Sequence, residues 1–198
     1  MLRILSWTCG VLLLANAQLQ AHFIFLAPVH TAEGVQIQAY FSEDAYPDNP
    51  ALLQKIATLQ TQALAAGQPA AELKFELSAD SLQSPLLSAA DFNRQLVVAS
   101  FDYGVVTKGQ GTFRLKYYAK CGPPLGAQCW SKIDAASQLP LDVTAVRQAE
   151  RIELQVRFAG EPVANAEVHI SCEEQEDLSL QTDALGRCEF QPPRPGRE

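Results

Sequence analysis

The chain is 198 residues long, 47% of them hydrophobic, and carries 22 acidic residues against 15 lysines and arginines for a formal net charge of −7. Such a balance suits a folded globular protein. It opposes binding to nucleic acid or anionic lipid, both of which need an excess of clustered Lys and Arg.

At the amino terminus Arg3 precedes an apolar run over residues 4–15. This is the pattern of a secretory signal peptide and falls short of the ~20 apolar residues a membrane helix needs. The leader is expected to occupy residues 1–21. Ala15-Asn16-Ala17 offers cleavage before Gln18, and cleavage after Ala21 would leave His22 at the new terminus. Cys9 lies inside the apolar run, not at its end, so a lipid anchor is not expected. No later segment is long and apolar enough to span a bilayer, so the expected location is periplasmic or secreted, with no membrane span after signal cleavage.

Beyond the leader, apolar residues alternate with period two, the signature of half-buried strands. Val35, Ile37, Ala39 and Phe41 alternate with Gln36, Gln38 and Tyr40. An acidic loop follows, with Glu43, Asp44, Asp48 and Asn49. Residues 50–57 are compatible with a short helix, with Asn49 as N-cap and Pro50 in the first position, or with a lead into a strand through Leu59, Thr61 and Ala63. Leu73, Phe75 and Leu77 alternate again. Residues 96–101 form a continuous apolar run, expected of a strand buried on both faces. Phe113, Leu115, Tyr117 and Ala119 alternate with Arg114, Lys116 and Tyr118.

A boundary is expected between residues 140 and 150, with residues 141–143 leading across. Ile152, Leu154, Val156 and Phe158 then open a second alternating series. It continues through the turn at Gly160, through Val168, Ile170 and Cys172, and past an acidic tip over residues 173–177. The turn over residues 182–186 leads to Cys188 and Phe190. The predicted fold is all-β with little helix: two β-sandwich domains over residues 22–145 and 148–198, each burying the apolar face of its sheets.

Four cysteines follow the leader: Cys121, Cys129, Cys172 and Cys188. An even number in an exported chain favours disulfides, and three pairings are possible. Parity favours Cys172–Cys188, because Cys172 shares a face with Val168 and Ile170 while Cys188 shares one with Phe190. Cys121 and Cys129 would then close the loop 122–128. Each bridge would add ~2–4 kcal/mol.

Two resemblances follow from particular residues. Residues 160–168 (Gly-Glu-Pro-Val-Ala-Asn-Ala-Glu-Val), with Thr182-Asp183-Ala184-Leu185-Gly186-Arg187 and Phe190, resemble the transthyretin-like, or carboxypeptidase-regulatory-like, β-sandwich repeat. In that repeat Pro-Gly leads into one more strand. Here Pro195-Gly196 is followed by Arg197-Glu198, which implies a truncated module or one lacking its last strand.

The stretches 21–26 (Ala-His-Phe-Ile-Phe-Leu), 41–44 (Phe-Ser-Glu-Asp), 102–105 (Asp-Tyr-Gly-Val) and 115–120 (Leu-Lys-Tyr-Tyr-Ala-Lys) resemble a poorly characterised family of secreted and periplasmic bacterial proteins. Some of its members are assigned to nickel or cobalt uptake. The resemblance implies a periplasmic metal-delivery role beside a membrane permease.

Among candidate sites, His22 stands first. Exposed at the terminus, its α-amino group and imidazole would chelate nickel, cobalt or copper with a second histidine such as His30. Its plainer role is to open the first strand. His169 should point outward beside Glu167, opposite Val168 and Ile170. The acidic loop lacks the regular spacing of a dedicated calcium loop. Asp102, Tyr103 and Tyr118, with Tyr117 and Trp130, are candidates to line a ligand surface, against the simpler alternative of aromatic packing between sheets. No G-x-S-x-G, H-E-x-x-H, phosphate-binding glycine loop or C-x-x-C is present, and no catalytic residue is assigned. The expectation is a non-enzymatic envelope binding protein. The alternative is a structural or adhesive module that mediates protein contacts.

Overall fold

A computed structural model describes residues 22–172 and 175–192, with backbone alone at residues 172, 175 and 176. The chain is all-β. Its strands are β1 (Phe23–His30), β2 (Val35–Ser42), β3 (Gln60–Ala65), β4 (Ala71–Glu72), β5 (Glu76–Leu77), β6 (Leu82–Gln83), β7 (Gln95–Lys108) and β8 (Gly111–Cys121), then β9 (Leu141–Gln148), β10 (Arg151–Phe158), β11 (Glu161–Pro162), β12 (Glu167–Cys172), β13 (Gln175–Gln181) and β14 (Arg187–Phe190). Among the described residues, helix is confined to a 3-10 segment, Pro50–Ile56, and two single turns, α1 (Ala89–Phe92) and α2 (Cys129–Lys132).

The first half builds two antiparallel four-stranded sheets, in the orders β1-β2-β6-β5 and β4-β3-β7-β8. Their facing sides bury the alternating residues. Ile24, Ala39, Phe41 and Leu82 meet Phe101, Tyr117 and Ala119, and Val35 and Ile37 meet Val97, Phe92 and Cys121. Of the run over residues 96–101, the first four are buried on both faces, as expected, while Ser100 and Phe101 are only half-buried. Val97 looks towards β2, while Leu96 and Val98 look the other way into a second core with Trp130, Ile133, Ala135 and Leu139. Residues 129–139 therefore act as a cover over the outer face of the second sheet.

In the second half β10 pairs with β9 along one edge and with β14 and β11 along the other. β12 and β13 form a separate ribbon. Ala145, Ile152 and Leu154 pack against Val168, Ile170, Cys188 and Phe190, which gives a sandwich-like pair of layers. The turn before β14 is built by Asp183, whose Oδ1 accepts the N–H groups of Leu185 and Arg187, each at 2.8 Å. Gly186 closes it at φ +71°, where a Cβ would come within 2.5 Å of the Val156 carbonyl oxygen; only glycine fits.

Several local expectations change. Asn49 caps a 3-10 segment instead of an α-helix, its Oδ1 accepting from Ala51 N at 3.0 Å, and β3 follows directly after a short turn. The Leu73-Phe75-Leu77 alternation is not one strand. Leu73 and Phe75 do enter one core, but β4 pairs with β3 and β5 with β6, so the chain changes sheets midway. Residues 141–143 are not a linker, because β9 pairs with β10 along its whole length, from Leu141↔Phe158 to Gln148↔Arg151.

The cysteines also depart from expectation. Cys121 and Cys129 are free thiols, both buried. Cys121 shares the core of Val35, Ile37 and Val97, whereas Cys129 lies in the core of Leu96, Val98 and Trp130. The sheet itself stands between them. Burial pushes the Cys121 thiol up to about 12. Cys188 is also free, packed with Val168 and Ile170 as parity required. The side chain of Cys172, its expected partner, and the tip residues 173 and 174 lie outside the described residues.

The two halves are joined by a buried ion pair between Lys120 Nζ on β8 and Asp142 Oδ1 on β9, with side chains 8% and 6% exposed. The same ammonium stands 5.5 Å from the centre of the Trp130 ring.

Candidate functional site

The β1–β2 hairpin decides what surrounds His22. Its register pairs Phe23 with Ser42, so the residue before β1 meets the loop that leaves β2. Residues twenty positions apart in the chain thereby share a cleft of about 550 Å³, lined by His22, Ser42, Glu43, Asp44, Asp48 and Asn49 among others. His22 Nε2 lies 3.5 Å from Asp48 Oδ2. The loop is shaped by its own polar groups, with the Ser42 hydroxyl donating to the Asp44 carbonyl and Asn49 capping the 3-10 segment.

Behind His22 stands a cluster of aromatic rings. The imidazole is 5.6 Å from Phe41, which packs edge-on to Tyr117 at 5.6 Å and tilted to Tyr103 at 6.3 Å. Tyr103 in turn meets Phe101 and Tyr117, each at 6.2 Å. Burial raises the Tyr117 phenol above its ordinary value, and Tyr103 adds to the effect. Such edge and tilted contacts are what aromatic quadrupoles favour. They give His22 a rigid apolar backing.

The other expected residues separate. His30 sits at the far end of β1, roughly 27 Å from His22 at ~3.4 Å per residue, with its ring edge-on to Phe92. The structure does not bring the two histidines together. Among the described residues no three His, Cys, Asp or Glu side chains are grouped so as to hold a metal ion. His169 is exposed beside Glu167, Nε2 to Oε1 3.2 Å.

Asp102, Tyr103 and Tyr118 do not share one surface. Tyr103 joins the aromatic cluster, while Asp102 and Tyr118 line a cleft on the opposite face of the sheet. Asp102 sits at a β-bulge, where its Oδ1 accepts from Gly104 N and from Arg114 Nε, each at 3.1 Å. Arg114 Nη2 binds the other carboxylate oxygen, and Lys116 Nζ lies 4.0 Å away. The Arg114 hydrogen bond, foremost among these, holds the Asp102 carboxyl below its usual range.

The sequence places Glu43, Asp44 and Asp48 together in one loop but does not by itself pair Asp48 with His22. The signal was present. Two alternating strands with a four-residue connection must fold back on each other, and counting outward from the turn sets His22 beside the end of β2. Comparison with family models, with curated proteins and with solved structures finds no match to this chain.

Proposed function

We propose that this chain is an exported, non-enzymatic binding protein of a bacterial envelope, and that its cargo is a divalent transition-metal ion, nickel or cobalt, taken at the cleft of His22 and delivered to a membrane permease. The observation that carries the reading is the approach of the His22 imidazole to the Asp48 carboxylate at 3.5 Å. Two donors with bonds of ~2.1 Å stand about 3.4 Å apart on a tetrahedral ion and about 3.0 Å apart on an octahedral one, so a small movement brings the pair to the spacing of a ligand edge. Glu43 and Asp44 add negative charge at the mouth, which attracts a cation.

Imidazole beside carboxylate suits nickel, cobalt, copper or zinc better than calcium or magnesium, which take oxygen donors. Cleavage after Ala21 would add the α-amino group of His22 as a third donor. Few donors suit a cargo that is to be handed on. The resemblance of residues 21–26 and 41–44 to envelope proteins of metal uptake points the same way, since both stretches meet at this cleft.

Mass spectrometry of the mature amino terminus and calorimetric titration with nickel, cobalt, copper and zinc test the proposal. Binding of nickel or cobalt, weakened at least about tenfold in both His22→Ala and Asp48→Asn, is the expected result. Absence of heat with all four ions, in protein that is folded by circular dichroism, would remove it. The alternative of an adhesive module is favoured by one observation: the far part of the β7–β8 ribbon presents Val105 and Phe113 at 72% and 46% exposure.

A further inference from the structure

The outer face of the second sheet changes character along β7. Side chains on that face run Leu96, Val98, Ser100, Asp102. The first two lie under the cover of residues 129–139, and the last two lie beyond it. At the edge of the cover the strand register lines up polar groups across three strands. Gln60 of β3 pairs with Ser100 of β7, which pairs with Tyr118 of β8. One step further along, Asp102 pairs with Lys116, and Thr58 precedes β3. Gln138 and Pro140, where the chain leaves the cover for β9, wall the other side of a cleft of about 460 Å³.

We propose that this cleft binds a neutral saccharide. Its volume falls within the range of small-ligand clefts, in which a few fixed polar groups set orientation. The side chains of Thr58, Gln60, Ser100 and Tyr118 form no hydrogen bond to other protein groups among the described residues, so their donors and acceptors are free for a ligand. A sugar hydroxyl both donates and accepts, as do the hydroxyl and amide groups presented here. Tyr118, which lines the cleft and is partly buried against the second core, adds an aromatic ring against which the C–H side of a pyranose would pack.

The charged groups narrow the class. Asp102 is acceptor-only and would repel an anion; Lys116, with Arg114 beside it, is donor-only and would repel a cation. A solvated polar face would have the same composition. It would not need the wall of Gln138 and Pro140, nor an aromatic ring set in the row. Phe101 borders both the cleft and the aromatic cluster behind His22, but the polar groups of the cleft are not shared with the His22 site, so this proposal is independent of the metal reading.

Saturation-transfer NMR and calorimetry with cellotriose, maltotriose and tri-N-acetylchitotriose test it on the mature chain. At least one of the three should bind in the millimolar range or tighter. Gln60→Ala/Ser100→Ala should weaken that binding at least about fivefold, because two neutral hydrogen bonds to the sugar are lost together. Tyr118→Phe, which keeps the ring and its packing, should weaken it by a smaller factor. His22→Ala should leave it unchanged. No transfer from any of the three sugars to the folded protein would overturn the proposal. So would binding that Gln60→Ala/Ser100→Ala leaves intact.

Discussion

Strand β8 carries an ion pair near each end, alike in chemistry and opposite in setting. Near its end Lys120 meets Asp142 with side chains 8% and 6% exposed; near its start Arg114 meets Asp102 at 64% and 37%. The enclosed pair joins the two halves of the chain and leans on Trp130, where water cannot take over if either partner is lost. The open pair sits at a bulge on a ribbon that is wet on both sides. The same contact is therefore a structural commitment at one end of β8 and an adjustable surface feature at the other.

Breaking the enclosed pair gives the largest expected effect. Asp142→Ala leaves Lys120 buried without its counter-charge and should cost about 3–5 kcal/mol in denaturant unfolding. Replacing both partners, Lys120→Met with Asp142→Leu, should recover most of that loss, because the desolvation penalty goes with the charges. A double variant as unstable as the single one would show that the pair is needed in its own right.

The neighbouring Cys121 sharpens the contrast. Its thiol is buried and pushed up to about 12, so in the native protein it should resist a thiol reagent at neutral pH and react at the rate of unfolding. Cys188, less buried, should react sooner. Rapid labelling of Cys121 in folded protein would contradict the enclosed setting of this end of β8.

The open pair should give the smallest change, and its sign follows from Asp102. Arg114 lowers the folded carboxyl below its ordinary value of 3.8, so its stabilising contribution is present above that value and is lost as pH falls through the lowered one. Arg114→Gln should therefore lower the melting temperature slightly at neutral pH, and the difference from the parent should vanish in strong acid. A difference that grows on acidification would refute the assignment.

Most of the fold was legible because period-two alternation reports which side chains share a face, and burial selects those faces. β2, β8 and β10 follow from it directly, and β7 from its continuous apolar run. Alternation does not report the hydrogen-bond partner, and this is where the reading failed. Leu73 and Phe75 keep their face while the chain changes sheets, and residues 141–143 look like a linker because nothing in their sequence names β10 as their neighbour. The cysteine expectation for Cys121 and Cys129 failed for a related reason: eight residues of separation say nothing about a sheet standing between two thiols. At the candidate sites, His22 and the acidic residues were visible singly, but their meeting depends on hairpin register. The Gln60-Ser100-Tyr118 row depends on the register of three strands at once.

The two-sided burial of β7 also governs what kinds of genetic change the protein can absorb. Swapping one aliphatic residue for another at position 96, 97 or 98 alters volume in one core and leaves the neighbouring one alone. Deleting a single residue there would turn the remainder of the strand over, sending Ser100 into the packed space between the sheets and Phe101 out towards water. Lineages carrying this chain should therefore show substitutions along β7 and conserve its length.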